Sequence, residues 1–248
     1  MKLDGIGFDY GNTLVLDPFD KVMKLKGVDF VRLMEKNGYE VAKKKFVDAW
    51  SEVNRNLNYP FCSHFAQEIP LIRAMLEKLG VRKTDRYKIS QSLLVAYRSG
   101  LKYVLRNDAQ IERVKEVLEE LRQRGKKLFI LSNERIDTIN SQLYWTGLGK
   151  FFEKVIVSQK LGVEKPDLRI FRYMIRLFDL PKERILYVGD DPERDIKPAK
   201  EMGIRAALLE HPKTMSAAAW RDYGFELKGN ERPDFVIKEL GEVLRFVE

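Results

Sequence analysis

Two stretches of this chain hold residue types that could do chemistry together. One is Phe8-Asp9-Tyr10-Gly11-Asn12-Thr13-Leu14 and the other is Tyr187-Val188-Gly189-Asp190-Asp191-Pro192-Glu193-Arg194-Asp195. Each opens with a short apolar run and breaks into carboxylates and glycine. That pattern reads as a buried parallel strand whose end delivers acids to a crevice at the edge of a sheet. One acid after the first strand and three after a late one suit a site that holds a divalent cation beside a nucleophilic carboxylate. A carboxylate placed in this way can act as a nucleophile. Acids this dense and half buried would be destabilising without a cation.

Two further places belong with them. Ser132-Asn133 follows the run Leu128-Phe129-Ile130-Leu131. Small polar groups at a strand-to-helix turn make an anion cradle or, more simply, a cap for the next helix before Glu134. Lys165 stands in the loop Val163-Glu164-Lys165-Pro166-Asp167 between these motifs, and Pro166 suits the first turn of the helix that follows.

The elements that must position these residues show two textures. Short apolar runs at Leu3 to Asp9, Lys127 to Leu131, Val155 to Val157, Ile185 to Val188, Ala206 to Leu209 and Phe235 to Ile237 read as strands. Helical patterns separate most of them, such as Ile111, Val114, Val117, Leu118 and Leu121 ending at Gly125. That alternation predicts an α/β fold with a doubly wound parallel sheet. Residues 17–99 carry no strand pattern. Ala42, Phe46, Ala49, Val53 and Leu57 recur at helical steps with Trp50 on the adjoining face, and Phe65, Ile69, Ile72, Leu76 and Leu79 do likewise. Asn37-Gly38 stops an earlier helix, and Thr84 can cap a fourth that carries Ile89, Leu93 and Tyr97. The reading is an α/β core domain over 1–16 and 100–248, interrupted by a helical bundle over 17–99 that is placed to cover a site at the sheet edge.

The order and spacing of these motifs resemble the haloacid dehalogenase superfamily, specifically its phosphatase-like members with a helical cap inserted after the first motif. The resemblance covers almost the whole chain. It implies a Rossmann-like core and a cap domain, with Asp9 as nucleophile and Thr13 orienting the site. Ser132, Asn133 and nearby backbone N–H groups would hold the phosphoryl oxygens, and Lys165 would balance charge. Mg²⁺ would be bound by Asp9, Asp190 and the backbone carbonyl of Gly11, with Asp195 acting through water or by orienting Lys165. The implied activity is Mg²⁺-dependent hydrolysis of a small phosphorylated metabolite.

Gly11 departs from the family pattern. Most of these phosphatases carry a second Asp there, which protonates the leaving oxygen and then activates water. Losing a general acid should cost on the order of 10²–10⁴ in rate for an alkyl ester. Acyl, aryl and anomeric sugar phosphates, with better leaving groups, should suffer less. Two other readings stand beside the phosphatase. A haloacid dehalogenase would use the same Asp against carbon, but its relatives place Tyr two residues after the nucleophile, whereas Tyr10 is one after, and they lack the acid held here by Asp190. A non-catalytic protein that binds phosphate or a partner draws its support from Gly11.

The cap should choose the substrate. The loop from Asn58 to Phe65 either faces the crevice or packs on its own helices; His64 within it, Arg32 and Arg55 could meet a substrate. The stretch 211–230 is a surface helix and turn or an assembly surface built on Trp220 and Tyr223, and nothing sets an oligomeric state.

Bulk composition excludes several classes. At 248 residues, 44% hydrophobic and 33% charged, the chain suits one large α/β domain with an insertion. One cysteine, Cys62, and two histidines allow neither a disulfide framework nor a zinc set. The net charge is +8, yet the bases mix with acids along helices, as in residues 111–120, and only Lys43-Lys44-Lys45 forms a run. Nucleic acid is therefore not an expected partner, whereas solvated faces or a field attracting an anionic substrate both fit. No apolar run approaches a membrane span and none follows a basic start, so a cytoplasmic protein that neither enters nor crosses a membrane is expected.

Overall fold

The computed structural model describes residues 2–16, 18–58, 68–210 and 227–247, the side chains of 54–58 excepted. Each of the six apolar runs forms a strand: β1 (Gly5–Phe8), β2 (Lys127–Ser132), β3 (Lys154–Val157), β4 (Ile185–Gly189), β5 (Arg205–Leu209) and β6 (Phe235–Ile237). All five pairings are parallel, in the order β3-β2-β1-β4-β5-β6. Every residue of β1 and β4 is buried, because helices cover both faces. This is why these strands read as unbroken apolar runs rather than as alternating ones.

The principal helices of this unit are α5 (Ala109–Gln123), α6 (Ile136–Thr146) and α8 (Leu168–Phe178), with short α7 (Ser158–Leu161) and α9 (Lys197–Glu201). Asp108 caps α5, its side chain accepting from Gln110 N at 3.1 Å. Helix α8 turns Ile170, Phe171, Met174 and Phe178 inward, where Phe178 stacks on Phe129 with ring centroids 3.8 Å apart. The register sets Phe8 beside both Ile130 and Val188, so three strands end side by side. Strand order reverses direction between β1 and β4, and a crevice at the carboxyl ends of the strands is the usual place for a ligand there.

By compactness the chain divides into Met1–Asp17 with Asp108–Glu248, and Pro18–Asn107. The second unit contains α1 (Pro18–Lys36), α2 (Lys43–Asn58), α3 (Glu68–Lys78) and α4 (Lys83–Arg106), the helices expected between the first two strands. Helix α4 runs unbroken through the boundary expected at 99–100. Trp50 is the hub of this unit. Its ring centroid lies 5.5 Å from Tyr97, 5.6 Å from Phe46, 5.7 Å from Phe30 and 5.8 Å from Phe19.

Two local expectations are corrected. Ala42 is exposed ahead of α2, so the buried face of that helix is Phe46, Ala49 and Trp50. Arg82, not Thr84, precedes the first turn of α4, and no side chain caps it; the Thr84 hydroxyl instead reaches Asp85 at 3.2 Å. Arg32 is exposed. The loop calls at 59–65, including His64, the Arg55 side chain, and the segment 211–226 with Trp220 and Tyr223 lie outside the described residues. Among the described residues, no helix is long and apolar enough to cross a membrane.

Candidate active site

Strand β1 delivers Asp9, whose N–H donates to Val188 O at 2.9 Å and so fixes it against β4. The chain then turns sharply. Tyr10 O accepts from Leu14 N at 3.0 Å and from Val15 N at 3.1 Å, and Asn12 takes a left-handed φ of 55°, which asparagine tolerates. The turn brings the Thr13 hydroxyl to 3.5 Å from Asp9 Oδ2 and from Asp190 Oδ1. These distances are long for O–H···O bonds, so Thr13 is a polar neighbour of both acids rather than a firm donor to either.

Strand β4 ends at Gly189 and delivers Asp190, half-buried, and Asp191. Asp191 caps the following turn, its Oδ1 accepting from Glu193 N and Arg194 N at 2.9 Å each. Residues Pro192–Ile196 form a single π-type turn that sends Asp195 back toward the strand, where its Oδ2 accepts from Asp191 N at 3.2 Å. Gly189 makes this return possible. A Cβ there would stand 2.4 Å from the Asp195 carboxylate, so any larger residue must displace it.

Lys165 joins the two acids. Its Nζ donates to Asp9 Oδ1 and to Asp195 Oδ1, both at 2.6 Å, and to Tyr187 Oη at 3.2 Å. The backbone of Lys165 is held by Asn133, whose Oδ1 accepts from Lys165 N at 2.9 Å while its Nδ2 donates to Lys165 O at 3.0 Å. Each end of the Asn133 amide thus makes one bond to the Lys165 backbone, so its side chain positions Lys165. Ser132 is buried and its Oγ accepts from Glu134 N at 3.1 Å in the turn ahead of α6; it does not cap that helix, whose N-cap is Arg135 with no side-chain cap. Pro166 does not begin a helix. The Lys165–Pro166 peptide is cis, and α8 starts at Leu168 behind Asp167, whose side chain accepts from Arg169 N at 2.8 Å.

Tyr187 is a site residue that sequence reasoning missed. Fully buried in β4, its hydroxyl donates to Leu131 O at 3.1 Å and lies 3.3 Å from Asp195 Oδ1. The available signal was a single hydroxyl in an otherwise aliphatic strand, which must find a partner when buried.

Oxygens of Asp9, Asp190 and Asp195 all lie within 4.8 Å of one another. Three carboxylates against the one ammonium of Lys165 leave two formal negative charges in a nearly dry space. Burial, opposed by Lys165 and reinforced by Asp195, pushes Asp9 up to about 6. Burial and then the surrounding carboxylates push Asp190 well above the usual range. Asp191 rises to about 7, chiefly by burial and then Asp195. Burial works against the Lys165 charge, but Asp195 and Asp9 outweigh it and hold the ammonium well above its ordinary pKa. An all-oxygen set two charges short of neutrality fits a hard divalent cation.

The structure thus brings together Asp9, Thr13, Lys165, Asp190 and Asp195. Gly11 is exposed on the turn after Asp9, and beyond its chain neighbours no atom of the described residues lies within 4 Å of where a Cβ would stand.

Comparison with known proteins agrees with this arrangement. A family model described as haloacid dehalogenase-like hydrolase matches residues 69–209. The glyceraldehyde 3-phosphate phosphatase of Methanocaldococcus jannaschii is 25% identical over 246 residues, 99% of this chain and 97% of that protein. The phosphoserine phosphatase of Thermus thermophilus is 33% identical over 127 residues, 51% of this chain and 46% of that one. Among solved structures, the HAD-hydrolase YfnB of Bacillus subtilis bound to magnesium superposes with a TM-score of 0.68 at 21% identity, covering 100% of this chain and 99% of the other.

Proposed function

The chain belongs to the haloacid dehalogenase-like hydrolases, and from that premise we propose that it is a Mg²⁺-dependent phosphatase of a small phosphorylated metabolite, working through an aspartyl phosphate on Asp9 in a cytoplasmic setting. The observation that carries this reading is the bridge of Lys165 Nζ, 2.6 Å from both Asp9 and Asp195, inside a three-carboxylate cluster. Asp9, Asp190 and the Gly11 carbonyl would hold Mg²⁺, which when bound offsets the charge of phosphate beside a carboxylate. Asp195 and Tyr187 fix the Lys165 ammonium, which fixes Asp9 Oδ1. Asp9 is thereby aimed before substrate arrives, and little reorganisation remains for the reaction itself. Lys165 balances negative charge on the phosphoryl oxygens, and Thr13 lies beside the attacking carboxylate. The relatives named for phosphate-ester hydrolysis support the same class.

A dehalogenase is the weaker reading. Expulsion of halide from carbon needs no cation, so the acid cluster would be a burden without a role. Tyr10 is 1% exposed and sits one residue after Asp9, not two.

Hydrolysis of p-nitrophenyl phosphate by the wild type and by Asp9→Asn, each with Mg²⁺ and with EDTA, tests the proposal. Turnover that needs Mg²⁺ and disappears in Asp9→Asn is expected. Phosphate and Mg²⁺ binding by calorimetry with no turnover would favour a binding protein instead.

A further inference from the structure

We propose that this site is specialised for phosphoryl anhydrides, whose leaving oxygen departs as a carboxylate or a phosphate, and that it works poorly on alkyl phosphate esters. The inference rests on the phosphatase reading above. When Asp9 attacks, its oxygen bonds to phosphorus as the bond to the leaving oxygen breaks, and the electron pair of that bond goes to the leaving oxygen. An alkoxide must be protonated as it leaves, whereas a carboxylate or phosphate departs as a stable anion.

Among the described residues beside the nucleophile, the Thr13 hydroxyl is too weak an acid to give that proton, and Asp190 would be taken up by the cation. Three acceptors take the Lys165 ammonium: Asp9, Asp195 and Tyr187. Tyr187 is fully buried and donates to Leu131 O, and Asp195 is taken up by Lys165 and by Asp191 N. Asp191 is committed to the turn at Glu193 and Arg194. Tyr10 keeps a hydroxyl without a partner, but that atom is closed off inside the unit. Gly11, two residues beyond the nucleophile and exposed, offers nothing to titrate. Packing by the described residues does not impose that gap, since none of them crowds a Cβ there.

The second half-reaction follows the same logic. Water attacks the phosphorus of the aspartyl phosphate, the Asp9 carboxylate is released, and both water protons leave with the product as dihydrogen phosphate. Among the described residues, no side-chain base is placed to speed this step. With anhydrides, phosphorylation therefore outruns hydrolysis, and the phosphorylated enzyme accumulates.

The test is a leaving-group series on the wild type with Mg²⁺: acetyl phosphate, p-nitrophenyl phosphate, phenyl phosphate and glycerol 1-phosphate, each read above its Asp9→Asn background. We expect kcat/KM to fall steadily with leaving-group basicity, by on the order of 10³ or more from first to last. An acid-stable-burst assay with acetyl phosphate should show close to one phosphoryl group per chain, absent in Asp9→Asn. Gly11→Asp should raise glycerol phosphate turnover on the order of 10²-fold. Wild-type turnover of glycerol phosphate within about tenfold of acetyl phosphate would overturn the inference. So would an on-the-order-of 10²-fold drop in that turnover in Glu134→Gln, which would reveal the exposed Glu134 as the missing acid. Failure of every substrate, with wild type and Asp9→Asn alike, would remove the phosphatase reading itself and the inference with it.

Discussion

The two units of this chain treat charge in opposite ways. At the carboxyl ends of β1 and β4, the α/β unit buries a lysine and three carboxylates, with Lys165 5% exposed and Asp195 1%. The helical unit buries rings instead. Phe30 and Phe46 are fully buried and Trp50 is 3% exposed, while its ion pairs, such as Lys44–Asp48 and Lys78–Glu52, stand in solvent. Apolar burial stabilises at any pH, whereas buried charge stabilises only while every partner is present and correctly ionised. The helical unit is therefore organised for stability and the sheet edge for chemistry.

The sharpest way to break that contrast is to remove one anchor from each side. Lys165→Met leaves Asp9 and Asp195 buried without a cation. It should abolish turnover and cost about 3–5 kcal/mol at neutral pH, with less cost near pH 5, where Asp9 can take a proton instead. Phe30→Ala should also cost about 3–5 kcal/mol, but equally at pH 5 and pH 8, since nothing around that ring titrates into place. Urea unfolding of both variants at the two pH values separates them. Matching pH profiles would show that the distinction between the units is false.

Two glycines sharpen the comparison. In the sheet unit, Gly189→Ala drives a methyl into the Asp195 carboxylate, which Lys165 and Asp191 N hold in place. Turnover should fall on the order of 10²-fold from that displacement alone. In the helical unit, Gly100→Ala would meet Lys26 Cγ at 2.8 Å and Val22 Cγ1 at 3.2 Å. The Lys26 chain can swing aside, and about 0.5–1 kcal/mol of helix stabilisation offsets the shift, so a net change near zero is expected in thermal melts.

The acids also predict a pH dependence. Asp9 and Asp191 have folded pKa values of about 6 and about 7, above the ordinary 3.8. A raised folded pKa means that the metal-free protein takes up protons on folding. Stability from these groups is full below the ordinary carboxylate range and is lost as pH rises through about 6 and about 7, at ~1.4 kcal/mol per unit for each group in transition. In EDTA, Tm should therefore fall between pH 5.5 and pH 8. Mg²⁺ should restore more of it at pH 8, where it no longer competes with protons. A Mg²⁺ shift that is equal at both pH values would place the cation away from these acids.

Much of this arrangement was legible in the chain because it follows from local pattern. An apolar run too short for a helix has few other folds open to it, and all six such runs are strands. Asp9, Asp190 and Asp195 were legible as candidates because each lies at or just beyond a strand end, whereas Lys165, in the loop between α7 and α8, was legible through the family resemblance and its flanking Pro166. What stayed hidden depends on partners far along the chain. Tyr187 reads as a core aromatic until its hydroxyl is set beside Lys165, 22 residues away. The pairing of the Asn133 side chain with the backbone of Lys165, 32 residues away, is likewise invisible in local pattern. Trp50 was assigned to the flank of its helix because the apolar stripe was started one turn early, at Ala42.

The smallest expected effect tests whether distance or burial sets the worth of an ion pair here. Lys44 and Asp48 stand 2.9 Å apart on α2, close to the 2.6 Å of Lys165 and Asp195, but their side chains are 89% and 60% exposed. Water and counter-ions screen such a pair, and it must also hold two mobile side chains in one geometry. Lys44→Met should thus change stability by no more than about 0.5 kcal/mol, and the change should vanish in 1 M salt, where the Debye length is ~3 Å. The loss in Lys165→Met should persist at that salt, because little solvent reaches its partners. Urea titrations of both variants at low and high salt decide the point. A salt-resistant loss in Lys44→Met would mean that the helical unit too relies on fixed charge.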